Sequence, residues 1–293
     1  MSTPADQIIT ALRAGHEELA ALVRDLKEDD LLRPSGASEW QVSQVLSHLG
    51  SGAEINLATL DAARTGAPGP DGDFNRGVWA RWDAMAPAEH AAGFLATNER
   101  LVEAYEALDA ETRASMRIDL GFLPEPVDVA TAARFRLSEF ALHQWDAEVA
   151  FNRFAAVTPG AVALLLDQIG GMLAWTSRPQ ELAGREATLL VRLHAPERTF
   201  GLRLGEKVEI VDAPERPDGE LVAPAEAWLR LATGRLGPQH TPDGAQVTGS
   251  VTLDDLRRVF VGAAGCRSVR FARRRGPRRG RTDLMDLTDQ PTA

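Results

Sequence analysis

The sequence predicts an α+β protein: a bundle of four long helices, followed by a small unit with an antiparallel sheet. Three observations carry this. Across residues 1–155 apolar residues recur at helical spacing, one stripe per 3.6-residue turn. Across residues 156–262 short runs alternate apolar and polar, the pattern of half-buried strands. Residues 263–293 show neither pattern and carry eight arginines. A chain of 293 residues is long enough for two domains with real cores.

The elements follow in order. Ile8, Leu12, Leu19, Leu22, Val23 and Leu26 predict a first helix over residues 4–28. Pro34-Ser35-Gly36 breaks the chain, and Ser38 with Gln41 reads as a capping box that starts the second helix. Val42, Val45, Leu46, Leu49, Leu57 and Leu60 give that helix its apolar face to about Arg64. Thr65 to Asp73 is a Gly/Pro-rich loop. A third helix follows Pro87, with Phe94, Leu101, Val102, Tyr105 and Leu108 inward. Asp128 caps a fourth, running to about Asn152. Such helices with short links suggest an antiparallel bundle.

Beyond a boundary near residues 153–160, Pro159 opens a helix whose apolar run is interrupted at Gly170-Gly171. Thr188–Leu193, Phe200–Leu204 and Val208–Val211 read as strands, the last two joined by a turn at Gly205-Glu206. Pro224 starts a helix through Trp228, Leu229 and Leu231. Ala245–Val251 reads as a further strand and Thr252–Phe260 as a last helix. The tail is of low complexity and is expected to be disordered.

Charge is unevenly spread. The net charge is −10, yet residues 263–293 hold eight Arg against three Asp, so the body carries −15 and the tail +5. Such a body is a poor partner for nucleic acid or an anionic membrane. No run of about 18 apolar residues is present to span a bilayer. The lone cysteine, Cys266, allows no intrachain disulfide and no four-thiolate zinc site. With no basic-then-apolar run at the N-terminus, a cytoplasmic location is expected.

Six histidines are candidates for chemistry. Glu139 and His143 are four apart, so they share one helix face. With Arg136 and Asp146 they form a polar stripe beside Leu137, Phe140 and Ala141, expensive to bury unless paired or metal-bound. His48 lies at the edge of an apolar face and joins them if the two helices are neighbours. Two His and a carboxylate is the ligand set of a catalytic zinc site with an open fourth position. Fe²⁺ and Ni²⁺ suit the same donors, and an ordinary surface Glu–His pair has the same spacing. His16 reads as a core histidine bonded to a neighbouring helix, with metal ligation the alternative. His90 is expected to be exposed near a helix start. His194 ends a strand and His240 sits in a loop.

The segment Trp40-Gln41-Val42-Ser43-Gln44-Val45-Leu46-Ser47-His48-Leu49 resembles the W-x-V-x-x-V-L-x-H-L motif of the mycothiol-dependent maleylpyruvate isomerase family. Arg136-Leu137-Ser138-Glu139-Phe140-Ala141-Leu142-His143-Gln144-Trp145-Asp146 resembles that family's second signature, R-L-x-E-x-x-x-H-x-W-D. Leu123-Pro124 and Pro126-Val127 match the lead-in to it. The segment from Leu229 to Gly234-Arg235 is similar to a family segment ending in Gly-Arg. The resemblance implies a DinB-like metal-binding four-helix bundle and a C-terminal unit related to sterol carrier proteins.

It further implies that His48, Glu139 and His143 hold a divalent metal, with zinc expected, and that mycothiol is the thiol cofactor. The substrate would be a small electrophile. In the isomerase reaction the thiolate adds to a cis double bond, the bond rotates, and the thiolate leaves. Arg235 inherits a place at the metal cleft, where it would hold a substrate carboxylate. Arg136 and Asp146, one turn either side of the ligand pair, would orient ligands from behind or form an ordinary helix salt bridge. Two other readings share the residues. One is a mycothiol S-transferase that conjugates electrophiles. The other is a non-enzymatic metal-binding sensor or interaction module, with the basic tail engaging an acidic partner or nucleic acid.

Overall fold

The computed structural model describes residues 2–261. The Cys266 and basic-tail expectations lie outside these residues. Thr3 opens helix α1 (Pro4–Asp25) with a capping box to Asp6, so two orphan N–H groups are satisfied at once. A one-turn α2 (Glu28–Leu31) follows, so the first helix ends earlier than the expected residue 28. Helix α3 (Val42–Thr65) begins from a box formed by Gln41 and Gln44, not by Ser38 and Gln41. The reason is local: Glu39 adopts φ +66 and Pro34 pairs with Gln41, so Ser38 still belongs to the preceding turn.

The expected loop after Thr65 is shorter than read. Asp71 caps an additional helix, α4 (Gly72–Asp83). Helix α5 (Pro87–Glu106) starts at its proline as expected, and α6 (Ala110–Ser115) is one short turn. The two-residue strands β1 (Arg117–Ile118) and β2 (Val127–Asp128) then pair and return the chain to Asp128. That residue accepts from the Thr131 N–H at 2.7 Å and caps α7 (Val129–Glu148).

Helices α1, α3, α5 and α7 form the bundle. α7 packs on α1 and α3, and α5 packs on the same two from the other side. Ile8, Leu12, Leu46, Leu49, Phe94, Leu101, Leu137 and Phe140 close its core. Helix α4 docks through Trp82, whose ring lies over Gly50 and Gly93, where a Cβ would overlap it. The Trp82 indole donates to Glu54 at 3.0 Å. His90, expected to be exposed, is buried here instead, stacked on Trp82 and bonded to its carbonyl at 2.8 Å. The helix that buries it was missed by the sequence reading.

Helices α8 (Pro159–Leu165) and α9 (Ile169–Thr176) lead to a five-stranded sheet. Its strands are β3 (Ala187–His194), β4 (Arg198–Leu204), β5 (Val208–Val211), β6 (Gly219–Pro224) and β7 (Gln246–Gly249). They lie in the order β5-β4-β3-β6-β7. Three pairings are antiparallel, as expected; β3 and β6 pair in parallel. Strand β6 was not foreseen because its run, Gly219-Glu220-Leu221-Val222-Ala223-Pro224, is short and bounded by Gly and Pro. Leu189, Val191, Leu202 and Leu221 bury one sheet face under Trp228 and Leu231 of α10 (Ala225–Ala232). α11 (Leu253–Val259) closes the unit from its cap, Thr252.

Helix α7 is buried on nearly every side. Behind its polar stripe, Gln144 donates to Glu148 at 2.8 Å and to Glu18 at 3.1 Å. Burial, and then the Glu18 charge, push Glu148 up to about 7, against the Gln144 bond. Its folded value lies above its unfolded one, so its stabilising contribution is complete at low pH and fades as pH rises towards 7. Glu148→Gln should abolish a stability loss of about 2 kcal/mol over that range, read from urea midpoints against pH. Gly50→Ala should destabilise by about 1–3 kcal/mol through overpacking against Trp82, measured the same way.

Candidate metal centre

His48, in the second turn of α3, meets Glu139 and His143 of α7. His48 Nε2 lies 3.1 Å from Glu139 Oε2, and His143 Nε2 lies 3.8 Å from the same oxygen. The three donor atoms all lie within 4.8 Å of one another. The two imidazole rings meet edge to face at 4.5 Å. Among the described residues this is the group of His, Cys and carboxylate side chains arranged to share an ion. Helical periodicity explains the α7 pair, and the α3–α7 contact supplies the third member.

The site is graded from wet to dry. Glu139 is 48% exposed, whereas His143 is 2% exposed. Burial first, and then the His48 charge, hold His143 below its ordinary value of 6.5, against the pull of Asp146. A neutral imidazole is the form a metal requires. Glu139 is held at about 2: desolvation raises it, and the bond from His48 with the charges of His48, His143 and Arg235 outweighs that. It is therefore an anion at neutral pH. Two imidazole nitrogens and one carboxylate oxygen, with the carboxylate half exposed, fit a divalent ion.

The groups behind the donors are ordered too. His143 Nδ1 lies 2.9 Å from Asp146 Oδ2. A carboxylate at that distance favours the tautomer with the ring proton on Nδ1, which leaves Nε2 on the Glu139 side. Asp146 is wholly buried and faces Arg235, whose Nε and Nη2 lie at 3.1 and 2.8 Å from its oxygens. Burial raises Asp146, but Arg235 and His143 lower it further and keep it ionised. Arg235 comes from the turn after α10, so the sheet unit reaches into the bundle here. Its Nη1 donates to the Thr233 carbonyl at 3.2 Å. The carboxylate that Arg235 grips in this structure is the protein's own.

Trp40 covers the dry side, stacked on His143 at 5.9 Å and tilted over His48 at 5.4 Å. Its loop is pinned by Gly36 N–H, which donates at 2.7 Å to the Asp146 carbonyl in the last turn of α7. Arg136 is buried one turn before Glu139. Its Nη2 donates to the Leu49 carbonyl at 2.8 Å and to Asn98 Oδ1 at 2.7 Å. Asn98 Nδ2 donates to His16 Nδ1 at 2.8 Å, and His16 Nε2 pairs with Glu99 at 2.7 Å. His16 is thus the core histidine of the first expectation, bonded to α5. The roles of Trp40 and Asn98 were missed. Asn98 had a readable signal, a polar residue on the inward face between Phe94 and Leu101.

His194 ends β3, and His240 lies in a short 3-10 turn with its ring edge-on to Trp145. Neither joins the centre.

Fold and site together define a four-helix bundle with a candidate metal centre, joined to an α+β unit that touches that centre through one arginine. Residues 12–148 match the family model described as the mycothiol maleylpyruvate isomerase N-terminal domain, so the helical half of the chain carries that domain. The crystal structure of the mycothiol-dependent maleylpyruvate isomerase is similar in fold, with a TM-score of 0.62 and 17% identity. The match covers 85% of this chain and 95% of that one. A histidine-to-alanine mutant of that isomerase matches with the same TM-score, identity and coverage. No curated protein sequence matches the chain. No helix among the described residues is long and apolar enough to cross a membrane.

Asp146→Asn should weaken metal binding about 10- to 100-fold, because an amide neither fixes the His143 tautomer nor raises its basicity as a carboxylate does. Competition against a zinc-responsive fluorescent chelator measures this.

Proposed function

We propose that this protein is a metal- and mycothiol-dependent enzyme that isomerises a cis double bond in a small acid resembling maleylpyruvate. One observation carries the reading: His48, Glu139 and His143 bring two nitrogens and a carboxylate oxygen within 4.8 Å, with Glu139 about half exposed to water. The family match over residues 12–148 points to mycothiol as the thiol, and the exposed Glu139 side would give it a way in.

The chain's own residues have distinct tasks in this scheme. His48 and His143 present Nε2 as donors, and Glu139 contributes the one negative charge. Asp146 holds the proton on His143 Nδ1 and keeps the ring from turning. Arg235 keeps the fully buried Asp146 ionised, and so acts as a positioning residue at the centre. Trp40 excludes water from the back of both imidazoles. When bound, a divalent metal would favour the thiolate form of a thiol, and a thiolate that adds to a double bond and then leaves changes its geometry without net redox chemistry.

Conjugation of mycothiol to an electrophile uses the same donors and differs in the product. Turnover of maleylpyruvate with mycothiol should vanish on chelation and return with zinc. His48→Ala should hold no metal and stay at the chelated level. Mass spectrometry and NMR identify the product. A trans isomer with free mycothiol supports isomerisation, and a stable thioether supports the transferase. Full turnover after verified metal removal would refute both.

A further inference from the structure

We propose that Arg136 is the anchor for a carboxylate of the substrate, bound in the notch that Gly52 leaves beside the metal cleft. This rests on the isomerase reading and assigns the residue that would hold the acid which that reading requires, so that a small anionic acid binds in preference to a neutral molecule of the same shape.

The first argument is electrostatic. Arg136 is 4% exposed, and no carboxylate among the described residues lies within 4.0 Å of its nitrogens. Glu139 acts on it only at longer range. Burial lowers its pKa to about 10, so it remains a cation at neutral pH. A buried cation without a counter-ion is costly, and such groups gather where an anion is to be bound.

The second argument is geometric. Both hydrogen bonds given to the protein come from one nitrogen, Nη2, which clamps Leu49 and Asn98. Nε is buried without a partner. Nη1 makes no hydrogen bond among the described residues and lies 3.0 Å from where a Cβ on residue 52 would stand. Gly52 is one turn beyond His48 on α3, and Arg136 is one turn before Glu139 on α7. The unused edge of the guanidinium is therefore next to the metal donors. Asn98, held in turn by His16 and Glu99, fixes the plane of the group from behind. A guanidinium held by one nitrogen, with other donors unspent, is prepared for a second acceptor.

Arg235 is the rival anchor, and its Nε and Nη2 already face Asp146. A purely mechanical role for Arg136, tying α7 to Leu49 of α3, would explain Nη2 but would leave its other donors and its charge without use.

The test measures binding of maleate, a small cis-dicarboxylate, and of its neutral diamide by calorimetry. It uses the full chain in zinc-loaded and metal-free forms, without mycothiol and without turnover. Wild type should prefer maleate in both forms. Arg136→Gln should lose that preference at least about tenfold, and Arg136→Lys should keep part of it. Gly52→Ala keeps the charge and fills the notch. It should weaken maleate while leaving the diamide, zinc content and thermal midpoint near wild type. Equal maleate affinity in wild type and in folded Arg136→Gln or Gly52→Ala would overturn the proposal. So would a fall in maleate and diamide affinity together. Because binding is read apart from turnover, an inactive protein that still selects maleate would sink the isomerase reading and leave the anchor standing.

Discussion

Everything near the centre depends on one constraint: α7 is buried on almost every side and yet carries Arg136, His143, Gln144 and Asp146 along its length. Buried polar groups must be answered, or the fold loses several kcal/mol at each. Each neighbouring element supplies part of the answer. α3 brings His48 and the Leu49 carbonyl, α5 brings Asn98, and α1 brings Glu18 to Gln144. The loop before α3 covers the last turn through Gly36. The turn after α10 brings Arg235. The packing of the helices around α7 and the ordering of the metal donors are thus one arrangement.

The same constraint separates two kinds of arginine. Arg235 is paired with a carboxylate of its own chain, and its work is to hold Asp146 and, through it, His143. Arg136 is more deeply buried and donates only to neutral acceptors. One is an internal strut that spans two units; the other is a charge kept in reserve. Sequence spacing puts both beside the donors and does not distinguish them, because the difference lies in what their guanidinium edges meet.

What was legible in the sequence follows the strength of local signals. The four bundle helices were readable because their apolar stripes run for five or six turns, and Asp128 and Pro87 mark real starts. Glu139 and His143 were readable because i,i+4 spacing guarantees a shared face. His48 was legible as a candidate only, since its partners lie on another helix. Helix α4 was missed because its docking rests on Trp82 in a gap made by two distant glycines. The misplacement of His90 follows from that. Strand β6 was missed because it gains its place from pairing with β3 across the chain, not from its own residues. Asp146 was named, but its link to Arg235 joins positions 89 apart and leaves no local trace.

That link has a thermodynamic consequence. Asp146 ends one polar chain that begins at the donor nitrogen of His143 and starts another that crosses to the turn after α10. Any ion that favours the His143–Asp146 arrangement also favours Arg235 in its seat, and coupling of this kind is reciprocal. Were an ion to load the centre, docking of the sheet unit and that loading would strengthen each other by the same factor. The second half of the chain would then act on the first as a tethered ligand does.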